Sequence, residues 1–131
     1  MDYKLQKIRR YFDIIKGCRW KNSVKAENIL VCPCDYKTGN TPPALSEFVP
    51  FENGGEWGTG NDSHAWFRLE AHSDEENRYI FVETNKSGWD ASNPQFIVYV
   101  DGKITQGLDT NHMIVRLSGK KSYKLHIYAT V

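Results

Sequence analysis

Cysteine and proline are scarce in this chain, with three and five among 131 residues, and no apolar run approaches the roughly 20 residues that span a bilayer as a helix. A core must therefore form without disulfide staples, and a chain of this length can bury one. Cys32 and Cys34 form a Cys-x-Cys pair, expected to point to opposite faces of a strand and not to bridge each other. No basic segment followed by an apolar run stands at the N-terminus, so a cytoplasmic, reduced protein is expected. The triplets Asn61-Asp62-Ser63 and Asn85-Lys86-Ser87 match the glycosylation pattern, and without an export signal they carry no weight.

Catalytic signatures are equally sparse. There is no nucleophile motif, no phosphate-cradling glycine loop and no redox Cys-x-x-Cys. No His or Cys pair has zinc-site spacing. Glu56, Asp62, Asp90 and Asp109 fall in loops, but nothing singles out the spaced acid pair that glycoside hydrolysis requires. Solvated loop acids are the simpler account.

What the chain does have is an ordinary globular composition, 40% hydrophobic and 25% charged, with an aromatic share of 13% that leans toward β-structure or a binding surface. A net charge of +1 conceals three zones. Residues 1–25 carry eight Lys/Arg against Asp2 and Asp13, residues 26–109 carry five against fourteen carboxylates, and four basic residues but no acidic one follow Asp109. The basic residues do not alternate with exposed aromatics, so complementarity of ends and middle, within the fold or across a contact, fits better than a nucleic-acid arm.

Asp2 can cap a helix whose Leu5, Ile8, Phe12 and Ile15 recur at helical spacing, with Gly17 as its C′ residue. That stripe is also a two-heptad seam, too short for a coiled coil alone, so packing on its own or a neighbouring domain is expected. Residues 28–34 read as a strand that Pro33 confines to an edge or an end. Residues 37–46 are loop, and residues 48–60 an irregular segment pinned by Phe51 and Trp57. His64 to His72 alternates, Phe67, Leu69 and Ala71 opposing Trp66, Arg68 and Glu70. Residues 78–84 read as a strand buried on both faces, residues 85–93 as a loop around Trp89, and residues 123–131 as a last strand with Lys124, His126 and Tyr128 opposite Leu125 and Ile127.

The most specific stretch runs from Ser87 to Leu117. Pro94 leads into the strand Phe96 to Val100, Asp101-Gly102 signals a tight hairpin, and Lys103 to Thr105 returns. Gln106 to His112 is then a polar bend, and Met113, Val115 and Leu117 share one face of the next strand. The pattern predicts a mainly β protein: an antiparallel β-sandwich of jelly-roll, galactose-binding-domain-like type over residues 18–131, with one N-terminal amphipathic helix over residues 1–17. The lack of a polar tail after Val131 suggests a domain of a longer chain.

The order Trp57-Gly58, His64-Ala65-Trp66-Phe67-Arg68, Gly88-Trp89-Asp90, Asn93-Pro94-Gln95-Phe96, Tyr99-Val100-Asp101-Gly102, Gln106-Gly107-Leu108-Asp109 and Asn111-His112 resembles the N-terminal region of cytosolic and bacterial α-mannosidases of glycoside hydrolase family 38. Lys7, Ile8 and Arg9 near the N-terminus are similar to the start of those proteins. The resemblance implies a parent enzyme that cleaves α-mannosides with retention, using zinc and an Asp nucleophile in a later catalytic domain. No position in this chain matches the zinc ligands or the nucleophile, so no catalytic residue is carried over and the 131 residues alone are expected to be inactive, without a cofactor. What it implies for this segment is a non-catalytic domain that scaffolds its own catalytic domain or other subunits, with no nucleic-acid or membrane partner. The alternative is a carbohydrate-binding module for mannose-containing glycans, stacking on Trp89 and hydrogen bonding through Asp90, Asn93, Asp109 and His112. Trp89, Asp90, Asn93, Gln106, Asp109 and His112 are the candidate binding or docking residues.

Overall fold

A computed structural model of the chain describes residues 3–18, 22–35, 41–58, 62–75, 78–84 and 93–131. Among these residues, helix α1 (Tyr3–Cys18) is followed by eight strands: β1 (Ile29–Cys34), β2 (Val49–Phe51), β3 (His64–His72), β4 (Arg78–Phe81), β5 (Gln95–Val100), β6 (Lys103–Leu108), β7 (Ile114–Leu117) and β8 (Ser122–Thr130). Every strand pairing is antiparallel. Six strands form one sheet in the order β2-β1-β3-β8-β5-β6, and β4 pairs with β7 in a second. The protein is thus the expected mainly β antiparallel sandwich with one helix in front.

The central pairing is β3 with β8, nine rungs from His64↔Thr130 to His72↔Ser122. Alternation along these strands sends Ala65, Phe67 and Leu69, with Tyr123, Leu125, Ile127 and Ala129, to one face, where Phe96 and Val98 of β5 and Val115 and Leu117 of β7 complete the core. Leu125 is entirely buried. Phe51 and Trp57 meet the Phe67 ring edge-on at 5.2 and 5.7 Å, so they anchor their segment as expected.

Asp101 and Gly102 turn the β5–β6 hairpin with φ of 49° and 83°, the doubly positive pair that an Asp-Gly hairpin requires. Asp101 also ties the tip to β8: its Oδ1 accepts from Lys124 N–H at 2.9 Å and its Oδ2 from Lys120 Nζ at 3.0 Å. The register shifts between Val98 and Tyr99, leaving Thr105 of β6 as a bulge on the outer strand of the sheet.

Several expectations change. α1 runs through Gly17, which is not in the left-handed conformation of a C′ residue; Asp2, the expected cap, lies outside the described residues. Pro33 does sit at an end, as expected: β1 lies between β2 and β3, but β2 reaches only Ile29 to Val31, so beyond Val31 one side of β1 has no partner strand among the described residues. The segment after Phe48 begins with a short strand, β2, before turning irregular. β4 is half-buried on one face, at Arg78 and Ile80, and exposed on the other, at Tyr79 and Phe81. The return strand extends through Leu108, which the core buries, so the polar bend begins at Asp109 and not at Gln106. Cys32 and Cys34 share a face, as side chains two apart in a strand must, and both are free.

That shared face carries a second apolar cluster. Cys32, Trp66, Tyr99 and Tyr128 pack together there, with Leu30, Cys34 and Ile97 beside them and Phe48 delivered by a single 3-10 turn, Leu45–Glu47. Trp66 lies 5.3 Å from both Tyr99 and Tyr128, ring centre to ring centre. Tyr128 is accordingly buried, although it stands in line with Lys124 and His126.

Candidate functional site

The bend after β6 is built by Asp109. Its backbone N–H donates to His112 O at 3.0 Å, and its Oδ1 accepts the backbone N–H groups of Asn111 and His112, each at 2.8 Å. His112 Nδ1 donates to the same carboxylate at 3.0 Å (Oδ1) and 3.2 Å (Oδ2). These backbone donors first, and the imidazole after them, hold the Asp109 carboxyl below the usual carboxylate range. With Nδ1 donating inward, Nε2 of a neutral His112 is left as an acceptor facing out. Thr110 turns in and is buried, while Asn111 and His112 stay exposed.

Beside this bend lies an open groove of about 480 Å³ lined by Gln95, Ile97, Gly107, Asp109, His112, Tyr128 and Thr130, among others. Register explains the set. Ile97 pairs with Gly107 on one side and Tyr128 on the other, and Gln95 pairs with Thr130 two rungs along, so these side chains share one face of the sheet. A Cβ placed on Gly107 would meet nothing nearer than Phe96 O at 3.8 Å, so this glycine leaves free space over the strand. Tyr128 is held from behind: its hydroxyl lies 2.6 Å from His64 Nδ1, while His64 Nε2 lies 3.1 Å from Asp62 Oδ1. Both bonds are satisfied when Tyr128 donates to Nδ1 and Nε2–H donates to the carboxylate.

Of the residues expected from sequence, the structure brings Asp109 and His112 together at the groove. Gln106 sits instead within β6, where its Nε2 donates to Ile114 O at 2.7 Å and links the two sheets. Asn93 is half-buried just before β5. Trp89 and Asp90 lie outside the described residues. Gln95, Ile97, Gly107, Tyr128 and Thr130 were not singled out by sequence reading; an apolar Tyr128 in phase with Lys124 and His126 was the available signal of a second occupied face.

A different surface is presented by α1. Every described side chain of the helix is exposed, including the stripe Leu5, Ile8, Phe12 and Ile15, each more than half open to solvent. Lys4, Lys7, Arg9, Arg10 and Lys16 occupy other positions around the helix, against the single carboxylate Asp13.

Other chemistry is limited by local environment. Burial raises the Cys32 thiol, aided by Glu47, and raises that of Cys34, aided by Cys32 and Asp35, so both remain protonated at neutral pH and are poor nucleophiles. Among the described residues no three His, Cys, Asp or Glu side chains gather as a metal-binding set, and the zinc implied by the family resemblance has no donors there. Among them, too, no helix is long and apolar enough to cross a membrane. Compared with protein-family models, with curated proteins and with solved structures, the chain matches none.

Proposed function

We propose that this chain is a non-catalytic β-sandwich domain that docks through α1, in its parent an α-mannosidase of glycoside hydrolase family 38. The observation that carries the docking reading is the bare stripe of α1. Full burial of a Leu, Ile or Phe side chain contributes about 1.5–3 kcal/mol, so leaving four such residues in water forgoes several kcal/mol that a partner surface would recover. The five basic residues around the stripe select a partner with an acidic rim. This partner is the catalytic domain of the same polypeptide, and the sandwich serves to hold it. The mannosidase assignment rests on the order of short motifs from Trp57 to His112.

Expression of the entire reading frame that contains these residues tests both parts. The whole protein is expected to hydrolyse 4-nitrophenyl α-mannoside in a zinc-dependent manner, and residues 1–131 alone to show no turnover. Replacing Leu5, Ile8 and Phe12 together by Asp is expected to lower the thermal midpoint of the whole protein and leave that of residues 1–131 unchanged. A whole protein without α-mannosidase turnover would overturn the assignment, and a midpoint indifferent to the helix variant would overturn docking.

A further inference from the structure

The geometry points to a second site: the groove between β5, β6 and β8 binds a neutral polyhydroxylated ring, such as one residue of a glycan. This inference stands apart from the docking reading, since no residue of α1 lines the groove.

Size comes first. About 480 Å³ falls in the range of small-molecule sites, roughly 300–1,000 Å³, and the groove is open to solvent. Ile97 and Tyr128, paired on neighbouring strands, give it an apolar floor, and Gly107 on the outer strand adds bare backbone beside Ile97. Such a floor suits the C–H face of a ring. Besides Phe96 and Leu108, the lining adds four polar side chains: the Asp109 carboxylate, the His112 imidazole, the Gln95 amide and the Thr130 hydroxyl. Asp109 Oδ1 is committed to the bend, but Oδ2 takes only the longer bond from His112, and so keeps a lone pair for a ligand hydroxyl. A carboxylate held ionised, paired with an imidazole, is suited to hydroxyl donors and acceptors in one ligand.

Charge then narrows the class. Among the described residues no Lys or Arg lines the groove, while Asp109 does, so phosphates, nucleotides and sugar acids would meet a negative charge that no described cation offsets. No aromatic cage that would hold a quaternary ammonium is formed by these residues. A neutral, hydroxyl-rich ligand is what remains.

Gly107 offers a clean test, because a side chain there occupies the groove without touching backbone more closely than ordinary contact, and Leu is a better strand residue than Gly. The 131-residue chain is titrated with mannobiose, cellobiose and inorganic phosphate to about 20 mM, a range that fills a site of millimolar affinity, while amide shifts are followed by nuclear magnetic resonance. Expected are saturable shifts at Ile97, Gly107, Asp109 and His112 with at least one disaccharide and none with phosphate. Gly107→Leu should keep the thermal midpoint and abolish saturation, and His112→Ala, at an exposed position, should weaken binding about tenfold. Absence of saturation with both disaccharides, saturation that survives Gly107→Leu, or phosphate binding at these amides would each overturn the proposal.

Discussion

Single side chains set both the strength and the acid sensitivity of this fold. Leu125 is wholly buried at the centre of the β3–β8 pairing, so Leu125→Ala should cost about 2–5 kcal/mol, read as a lower urea midpoint. Asp101 is held below the usual carboxylate range, chiefly by the Lys124 backbone N–H and then by Lys120. A lowered folded value means that its contribution is present above the ordinary value near 4 and is lost as pH falls through the folded one. Asp101→Asn should therefore be less stable than the parent at neutral pH and converge with it in acid. His126 behaves differently. Its imidazole is lowered by burial first, then by Arg68 across the β3 rung and Lys124 on its own strand; Tyr99 of β5 and the Phe48 ring also face it. The unfolded chain takes up the proton near 6.5, so stability should decline as pH falls from about 6.5 toward the folded value. A flat urea midpoint between pH 7 and 5 in the parent, or the same slope in His126→Gln, would contradict this.

At the scale of elements, α1 and the β5–β6 hairpin are opposites. The hairpin is legible because Asp-Gly admits few alternatives, and Asp101 ties its tip to β8 twice at Lys124 and once to Lys120 just before that strand. The alternation of β3 was legible for a similar reason, yet Trp66 also turned out buried, since period-two reasoning tells which face a residue takes and not whether that face is covered. The reading of β4 as doubly buried fails on the same point: an apolar run cannot report that, among the described residues, β7 alone flanks it. The polar bend was placed three residues early, because Gln106 and Gly107 look like loop residues while the backbone keeps them in the ladder up to Leu108. Of the groove, Asp109 and His112 were visible as neighbours in sequence; its floor depends on three strands meeting in register, which local patterning does not reveal. Removing α1 should shift the thermal midpoint of the sandwich by no more than about 2 °C, since none of its described side chains is buried.

Along the sequence the acidic and basic residues fall in separate zones, and the fold returns the C-terminal basic zone to the acidic middle through Lys120 and Asp101. The basic residues of α1 surround an uncovered apolar stripe, while the carboxylates cluster in the middle of the chain. A 16-residue helix none of whose described side chains is buried draws little stability from tertiary packing, and in water an isolated helix of this length is marginal. Docking would change that more than it would change the sandwich. The most direct measurement is amide hydrogen exchange of residues 3–18 in the 131-residue chain and in the entire polypeptide from the same reading frame. The docking account predicts fast exchange in the short chain and protection raised at least about a hundredfold in the whole protein, with the β3 and β8 amides slow in both. Equal protection of α1 in the two would contradict it.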